Sequence, residues 1–486
     1  MNSNCSKAKD AVCRILCVLI FICLLPRGDA AQKPNFLIVY VDDLGWADTS
    51  VRMMKGDPES ASDFHQTPHL EQLARRGMVF SNAYAPAPTC TPSRKSIQFG
   101  KTPGRLQYTF VHDVLALERK LKWQDELSLA DVVKAADASY VTAHFGKGMG
   151  GEQMKTIGYD VTDEIDGKAD NGNFHGDFVS LRNRVPLPAD NPKRMASLRK
   201  SSVDFLKQHS GKRPFLMMVS HYAVHVPHAA RPDLIEKYRR LPRGKHCQDE
   251  DYLPTELIPE GRKISHWRLQ YAAMLEELDE GLGAMVVELR KTGQLDNTLI
   301  IFTSDNGGLS TSEGSPTSNL PLRGGKGWLY EGGIREPYLI KWPSMHHPGS
   351  TSSYPVSSVD FYPTLLELAG LPLKPDQHLD GVSLVPLLEG KTLPSRSMFW
   401  HYPHYSNQGG FPGGAIRSGP WKAIERYEDG TVHLYHLLDD PGETHDLSSQ
   451  HPEKLASLRS ELHRWYREVD AAFLQAKPNG PKAWRP

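Results

Sequence analysis

The segment NFLIVYVDDLG, residues 35–45, decides the fold of this 486-residue chain. Residues 35–41 form a nearly unbroken apolar run rich in β-branched and aromatic side chains, the pattern of a strand buried on both faces of a parallel sheet. Asp42, Asp43 and Gly45 follow where that strand should end. A buried strand with a polar tip is the repeating unit of an α/β protein, so we expect it to recur.

Three further predicted strands end in polar or glycine-rich residues: 139–145 before Gly146-Lys147-Gly148, 214–220 before His221 and His225, and 298–303 before Asp305 and Asn306. Segments of helical periodicity lie between them. The alternation predicts a doubly wound α/β sheet with helices on both faces. Its ligand site should lie at the carboxyl ends of the strands, where the polar tips meet.

The pattern changes after about residue 385. Short alternating segments at 415–417, 421–426 and 432–437 predict antiparallel strands, and leucines from Leu455 onward predict one amphipathic helix. We therefore predict a catalytic domain over residues 31–385 and a smaller antiparallel α+β subdomain over 386–486.

The N-terminus has the order of a secretory signal peptide. Lys7, Lys9 and Arg14 precede an apolar run at 15–25, and small residues follow near Ala30. We predict that residues 1–30 are removed, that the protein is secreted or periplasmic, and that no membrane span remains. Four of the six cysteines leave with this segment, so that Cys90 and Cys247 remain and could form one disulfide.

The charge balance narrows the class of ligand. Lys plus Arg and Asp plus Glu number 57 each, so nothing in the composition indicates a nucleic-acid-binding surface. Small molecules or carbohydrates are the expected partners.

Two strand tips offer only oxygen ligands: Asp42 with Asp43, and Asp305 with Asn306. This set suits a hard divalent cation rather than zinc, with Ca²⁺ as the first choice and Mg²⁺ as the second. Either pair alone would read as an ordinary turn, since Asp and Asn bond their own backbone.

The most specific motif surrounds one cysteine, in Pro88-Thr89-Cys90-Thr91-Pro92-Ser93-Arg94. It resembles the Cys-x-Pro-Ser-Arg signature of the sulfatase family in the alkaline-phosphatase superfamily. The resemblance implies an alkaline-phosphatase-like fold. It also implies that a formylglycine-generating enzyme oxidises Cys90 to formylglycine (3-oxoalanine), whose hydrate attacks sulfur. The alternative for a lone cysteine is a buried, inert thiol.

Further landmarks of that family appear in order along the chain. Lys326 lies in Leu322-Arg323-Gly324-Gly325-Lys326, and His225 lies in Ala223-Val224-His225-Val226-Pro227. The resemblance implies that Asp42, Asp43, Asp305, Asn306 and residue 90 bind the metal. It implies that Arg94, Lys147 and Lys326 neutralise the sulfate, while His225 and Lys326 bind the bridging oxygen and protonate the leaving alcohol. The expected substrate is a sulfated sugar or an aryl sulfate.

The chain departs from the family at one strand tip. Where the family has Gly-Lys-Trp-His-Leu-Gly, this sequence has Gly146-Lys147-Gly148-Met149-Gly150-Gly151, which puts Met149 in the place of a histidine. Methionine cannot accept a proton. We hypothesise that His144 or His221 substitutes, although either could be structural. Met149 therefore keeps a second function open, a catalytically impaired binder of sulfated glycans. A third, a phosphoester or phosphonate hydrolase, stays open because the resemblance implies that relatives on this fold use the same metal and anion site.

An aromatic and imidazole cluster opens the smaller subdomain, in Trp400-His401-Tyr402-Pro403-His404-Tyr405. Such side chains suit stacking and hydrogen bonding to a sugar. We predict that His404 binds substrate; interdomain packing is the alternative.

Overall fold

The computed structural model describes residues 33–111, 126–149, 154–163, 190–242, 251–252, 263–264, 269–312, 316–473, 475, 479–480 and 484–486. The predicted signal peptide at 1–30, Cys247, Gly150 and Gly151 lie outside these residues. Within the described part of the chain, no helix combines the length and apolar character needed to cross a membrane.

The strands are numbered in chain order: β1 Asn35–Val41, β2 Met78–Phe80, β3 Ala83–Tyr84, β4 Val141–Gly146, β5 Val161–Thr162, β6 Phe215–Ser220, β7 Asp251–Tyr252, β8 Lys263–Ile264, β9 Thr298–Ser304, β10 Tyr338–Lys341, β11 Ser350–Ser352, β12 Val356–Ser357, β13 Ser397–Tyr402, β14 Gly413–Ser418, β15 Trp421–Arg426 and β16 Val432–His436.

The α-helices are α1 Pro68–Arg76, α2 Cys90–Phe99, α3 Pro103–Leu106, α4 Leu129–Ala136, α5 Met195–His209, α6 Pro232–Arg240, α7 Leu269–Lys291, α8 Glu331–Ile334, α9 Phe361–Leu368, α10 Val385–Leu388 and α11 Pro452–Glu468. Short 3-10 turns cover Pro58–Ser60, Met154–Ile157, Pro192–Arg194, Leu295–Asn297 and Ser358–Asp360.

The large sheet has eight strands in the order β11-β2-β10-β9-β1-β6-β4-β5. Strand β1 lies between β9 and β6 and is parallel to both, with Val39 opposite Phe302 and Val219. Strand β10 runs antiparallel to both of its neighbours, so the sheet is mixed. The predicted α/β fold class is confirmed, and the four strands predicted to carry polar tips, β1, β4, β6 and β9, are adjacent and parallel.

Both faces of the sheet are covered, because alternate side chains of β1 enter different cores. Leu37 and Val39 pack with residues of α1, α5 and α7, whereas Phe36 and Ile38 pack with residues of α2, α4 and α9. Every residue of β1 is buried. The apolar run at residues 35–41 is continuous because both faces of β1 are buried, as the sequence predicted.

The smaller antiparallel sheet has the order β13-β14-β15-β16. Its strand β13 was not predicted, and the other three match the predicted segments. Helix α11 packs on one face through Leu458, Leu462 and Trp465. The other face meets the large domain at Tyr84 and Ile334. The predicted division at residues 385 and 386 falls at the start of α10 and stays a prediction.

Candidate active site

Cys90 is the first residue of helix α2 and lies close to the tips of β1 and β9. The thiol is free and 5% exposed. The Ser93 hydroxyl donates to the Ala87 carbonyl at 3.1 Å and accepts from the Ala87 N–H at 3.2 Å, which fixes the loop before the helix. This pair of bonds explains the serine of the motif.

Arg94 joins three strand tips. Its Nε and Nη2 atoms each lie 2.7 Å from Asp305 Oδ2, and Nη1 donates to the Ser220 hydroxyl and, at 3.2 Å, to the Lys147 carbonyl. The carboxylates of Asp305 and Asp42 raise its pKa although burial opposes the shift. The charged guanidinium thus holds the carboxyl ends of β4, β6 and β9 together.

The predicted metal ligands converge at the ends of β1 and β9. Single ligand atoms of Asp42, Cys90 and Asp305 lie within 4.8 Å of one another. Asn306 Nδ2 donates to Asp43 Oδ1 at 2.8 Å, and the Asp43 N–H donates to Asp305 Oδ1 at 3.1 Å. These bonds link Asp43, Asp305 and Asn306 in one cluster.

Two observations test whether these residues fit a cation. Asp42 Oδ1 and Asn306 Oδ1 are buried and have no hydrogen-bond partner. Burial raises the pKa of Asp305 to about 7, against the opposing charge of Arg94. Buried oxygens without donors and a desolvated carboxylate are what a hard cation would satisfy. The oxygen donors of Asp42, Asp43, Asp305 and Asn306 therefore fit Ca²⁺ or Mg²⁺.

Two lysines lie against the aspartate pair. Lys147 Nζ is 2.5 Å from Asp42 Oδ2, and Lys326 Nζ is 2.8 Å from Asp43 Oδ2. The carboxylates raise both lysine pKa values, although burial opposes this, and the lysines help to hold the pKa of Asp42 well below its usual range despite burial. Both cations are thus fixed beside Cys90.

Gly146 allows Lys147 to take this position. A Cβ on Gly146 would lie 2.0 Å from the Ser220 carbonyl oxygen, and its φ of +96° is in the left-handed region. Any other residue would push β4 away from β6 at the site.

His225 is the last of the catalytic residues that the sequence predicted. Its Nε2 atom lies 3.7 Å from Asp43 Oδ2, and Nδ1 is 2.5 Å from the Val226 carbonyl, which can only accept. Nδ1 therefore carries the proton. Burial and the charge of Lys326 lower the pKa of His225 to about 4, so the ring is neutral at neutral pH with its lone pair at Nε2.

The other residues singled out in the sequence, Met149, His144 and His404, pack against aromatic or apolar side chains. Met149 is buried in an apolar cluster with Phe99, Leu106 and Tyr159. His144 packs edge-on against Tyr159, at a ring distance of 5.3 Å. His404 lies at the rim, stacked on Phe110 at 4.8 Å.

His221 is buried, and neither of its ring nitrogens has a hydrogen-bond partner. Burial, with the charge of Arg94, lowers the pKa of both His144 and His221 to about 3. Such a low pKa makes each ring a weak proton acceptor at neutral pH. That either one replaces the missing histidine stays a hypothesis.

Sequence reasoning missed Lys193, which is fully buried near the same charges. Asp42, Asp43, Lys147 and Lys326 all act on it, and burial lowers its pKa to about 7. Lys193 and Arg194 both have left-handed φ, 54° and 59°. Arg194 pairs with Asp163 at 3.2 Å, and Asp163 accepts from the Gly146 N–H at 2.9 Å, which ties this segment to the tip carrying Lys147. No pattern in the sequence marks it.

Known protein families match most of the chain. Residues 34–371 match the family described as Sulfatase. The chain belongs to the sulfatase family. It is a sulfuric ester hydrolase, as the resemblance around Cys90 predicted. Residues 325–471 also match the family described as N-sulphoglucosamine sulphohydrolase, C-terminal.

Similar curated proteins span nearly the whole of this sulfatase. A protein named Sulfatase from Formosa agariphila is 29% identical, over 90% of this chain and 90% of its own length. Arylsulfatase A from Homo sapiens is 29% identical, over 91% and 89%. Arylsulfatase A from Bos taurus is 30% identical, over 91% and 90%.

Solved structures share the fold of this sulfatase. The structure of "Ps i-CgsB in complex with k-i-k-neocarrahexaose" superposes with a TM-score of 0.71 at 25% identity, covering 89% of this chain and 93% of that one. A second, of "BT4656 in complex with its substrate D-Glucosamine-2-N, 6-O-disulfate", gives 0.66 at 20% identity, covering 90% and 98%.

Proposed function

We propose that this sulfatase releases inorganic sulfate from a sulfated carbohydrate or an aryl sulfate, using a formylglycine made from Cys90 and a bound Ca²⁺. The observation that carries the proposal is the convergence of Asp42, Asp305 and Cys90 within 4.8 Å at the first turn of α2. Unpartnered oxygens on Asp42 and Asn306 support a cation there, with Mg²⁺ as the alternative. A formylglycine-generating enzyme is the partner that the modification requires.

The chain's own residues divide the work on the substrate. Formylglycine would supply the oxygen nucleophile, and the cation would withdraw charge from the sulfate oxygens. Asp42, Asp43, Asp305 and Asn306 would hold the cation. Lys147 and Lys326 lie beside these carboxylates, where their charges stabilise an anion that gains negative charge as the ester bond breaks.

Lys326 is the residue we assign to protonate the leaving alcohol. Asp43 raises the pKa of the Lys326 ammonium group despite burial, so Nζ is protonated at neutral pH. The negative charge that develops on the leaving oxygen would draw this proton across. His225 is neutral at neutral pH with its lone pair at Nε2. We therefore give it the role of orienting the bridging oxygen together with Lys326, and we place the proton on the lysine.

Several finer assignments rest on the relatives and on the sequence. Names such as Arylsulfatase A and N-acetylgalactosamine-6-sulfatase support an aryl or sugar sulfate ester as substrate. The neocarrahexaose complex of a similar structure supports a glycan. We also propose that residues 1–30 direct secretion or export to the periplasm, that the domains divide near residue 385, and that His404 contacts the substrate.

The test uses protein whose metal has been removed with a chelator. Turnover of 4-nitrocatechol sulfate should disappear on chelation and return with Ca²⁺, and less with Mg²⁺. An aryl phosphate of the same leaving group should turn over more slowly at every metal concentration. Asp305→Asn should need far more Ca²⁺, whereas Asp296→Asn, whose side chain is 93% exposed, serves as the control. Faster phosphate hydrolysis would instead support a phosphoesterase, and glycan binding without turnover would support an impaired binder.

A further inference from the structure

A second cavity lies between the large domain and the small sheet. Its volume is about 510 Å³, within the range of small-molecule sites. We call it the aromatic pocket; its main lining residues are Arg323, Trp328, Tyr330, Tyr405, Phe411 and Arg426. Of these six, the sequence singled out Tyr405 as part of the cluster suited to stacking on a sugar.

The floor of the aromatic pocket consists of three rings. Trp328 stacks on Tyr330 with centroids 6.1 Å apart, and Phe411 meets both edge-on at 6.0 and 5.9 Å. The Trp328 indole N–H donates to the Gln408 carbonyl at 2.9 Å. The rings are therefore held in fixed positions before any ligand arrives.

Tyr405 stands at the mouth of the pocket with 62% of its surface exposed. Its hydroxyl donates to Glu428 at 3.1 Å. A large exposed ring tethered by one hydrogen bond offers an apolar face to a ligand at little cost in side-chain entropy.

The polar rim carries both signs of charge. Arg323 lies 4.1 Å from the ring of Tyr330, and Arg426 lies 4.6 Å from that of Phe411. The carboxylates of Glu428 and Asp446 also line the pocket, and Glu428 pairs with Arg426 at 2.5 Å. Donors and acceptors are thus balanced, which suits a neutral ring rich in hydroxyl groups better than a second sulfate group.

The pocket and the reaction site share one wall. Trp328 follows Lys326 by two residues, and the Gly327 N–H donates at 2.8 Å to the carbonyl of Pro88, two residues before Cys90. The charge of Lys326 acts on the Tyr402 hydroxyl, whereas Tyr405, three residues further on, lines the aromatic pocket. Residues 402–405 therefore run from the neighbourhood of the reaction site to the aromatic pocket.

We propose that the aromatic pocket binds a neutral sugar ring adjacent to the sulfated ring held at Cys90, so that the preferred substrate is at least a disaccharide. The inference rests on the proposed function, because it needs a sulfate ester at Cys90. It adds a binding site and a minimum substrate length.

The experiment compares sulfated monosaccharides with disaccharides that carry one additional neutral hexose. Galactose 6-sulfate, N-acetylgalactosamine 6-sulfate and N-acetylglucosamine 6-sulfate form the panel, and 4-nitrocatechol sulfate is the reference. The readout is the ratio of kcat/KM for each disaccharide to that for its monosaccharide. In the wild type this ratio should exceed one for the accepted sugar, and Tyr405→Ala should lower it about tenfold, the loss of roughly one aromatic contact.

Two variants separate stacking from other effects. Tyr405→Phe keeps the ring and should keep the ratio, although it loses the bond to Glu428. Leu438→Ala removes another exposed apolar side chain, 70% exposed and outside the pocket lining, and should change nothing.

A wild-type ratio near one, or a ratio undiminished in Tyr405→Ala, would overturn the inference. So would an enzyme that hydrolyses the aryl sulfate and none of the sugars. Failure to hydrolyse the aryl sulfate itself would instead contradict the proposed function, so the two failures are distinguishable.

Discussion

Lys193 is buried in the site at a cost to the stability of the fold. Its side chain is fully buried among the charges of the site, its backbone is in the left-handed region, and burial lowers its pKa to about 7. Strain and a desolvated amine in one residue are features that persist where a site needs them.

Replacing this lysine should stabilise the protein. The folded pKa lies below the ordinary lysine value of 10.5, so the unfolded chain binds more protons between pH 7 and 10.5 and stability rises with pH across that window. Lys193→Met removes the penalty, worth about 1.4 kcal/mol per pKa unit, so its gain is largest below pH 7 and fades toward pH 10.5. Urea unfolding in chelator measures this. Lys200→Met, 79% exposed on the helix α5 that follows Lys193, is the control, and an equal effect of both variants would show that burial of Lys193 is not the cause.

The role of Lys326 as the acid can be tested by substitution. If it protonates the leaving alcohol, Lys326→Arg should lower kcat by about 10²–10⁴-fold on phenyl sulfates, because general acid catalysis contributes that much. The deficit should grow as the leaving phenol becomes more basic. A series of substituted phenyl sulfates measures the slope. Equal slowing for every leaving group would mean that Lys326 only binds the anion.

Most of the site residues could be predicted from the sequence because they lie at the carboxyl ends of strands. Asp42, Lys147, His225 and Asp305 each follow a buried strand, and parallel strands bring such tips together. Lys193 could not be found in this way, since it precedes a helix and does not follow a strand. Met149 was placed by motif alignment alone, whereas the structure buries it with apolar residues.

At the scale of elements, helix α1 is held by a distant residue. The Asp279 carboxylate accepts from the N–H groups of His69 at 2.8 Å and Leu70 at 2.7 Å, and so caps the helix from within α7. Thr67, which precedes the helix, makes no side-chain cap. Local sequence could predict where α1 starts and not what caps it.

Asp279→Ala should destabilise the fold by about 1–3 kcal/mol, because it leaves one buried and one partly buried N–H donor without an acceptor. Asp296→Ala, which removes a carboxylate that is 93% exposed, should change stability by less than about 0.5 kcal/mol. Urea denaturation followed by tryptophan fluorescence compares the two. Indistinguishable midpoints would show that α1 does not depend on this cap.

In the molecule as a whole, buried ion pairs connect the small sheet to the large domain. Lys422 on β15 lies 2.9 Å from Glu331 on α8 and 2.8 Å from Glu443, and all three side chains are fully buried. Glu331 also pairs with Arg335, which lies in the large domain. The sequence predicted two domains and could not show this connection, because its members lie far apart along the chain.

Lys422→Met should cost about 3–5 kcal/mol, since the buried Glu443 loses its ion pair and the buried Glu331 keeps only Arg335. The small sheet and the large domain should still unfold together, at lower urea. Lys391→Met, 70% exposed, is the matched control. Calorimetry that showed unchanged stability, or a small sheet melting by itself, would contradict the account.

We expect sulfate release to depend on an oxidised Cys90. The rate of sulfate release from 4-nitrocatechol sulfate can be followed in Ca²⁺-loaded preparations whose oxidised fraction at Cys90 is known from peptide mass spectrometry. This rate should be proportional to the oxidised fraction, and Cys90→Ala should release no sulfate. Release that does not vary with the oxidised fraction, or that persists in Cys90→Ala, would contradict this expectation.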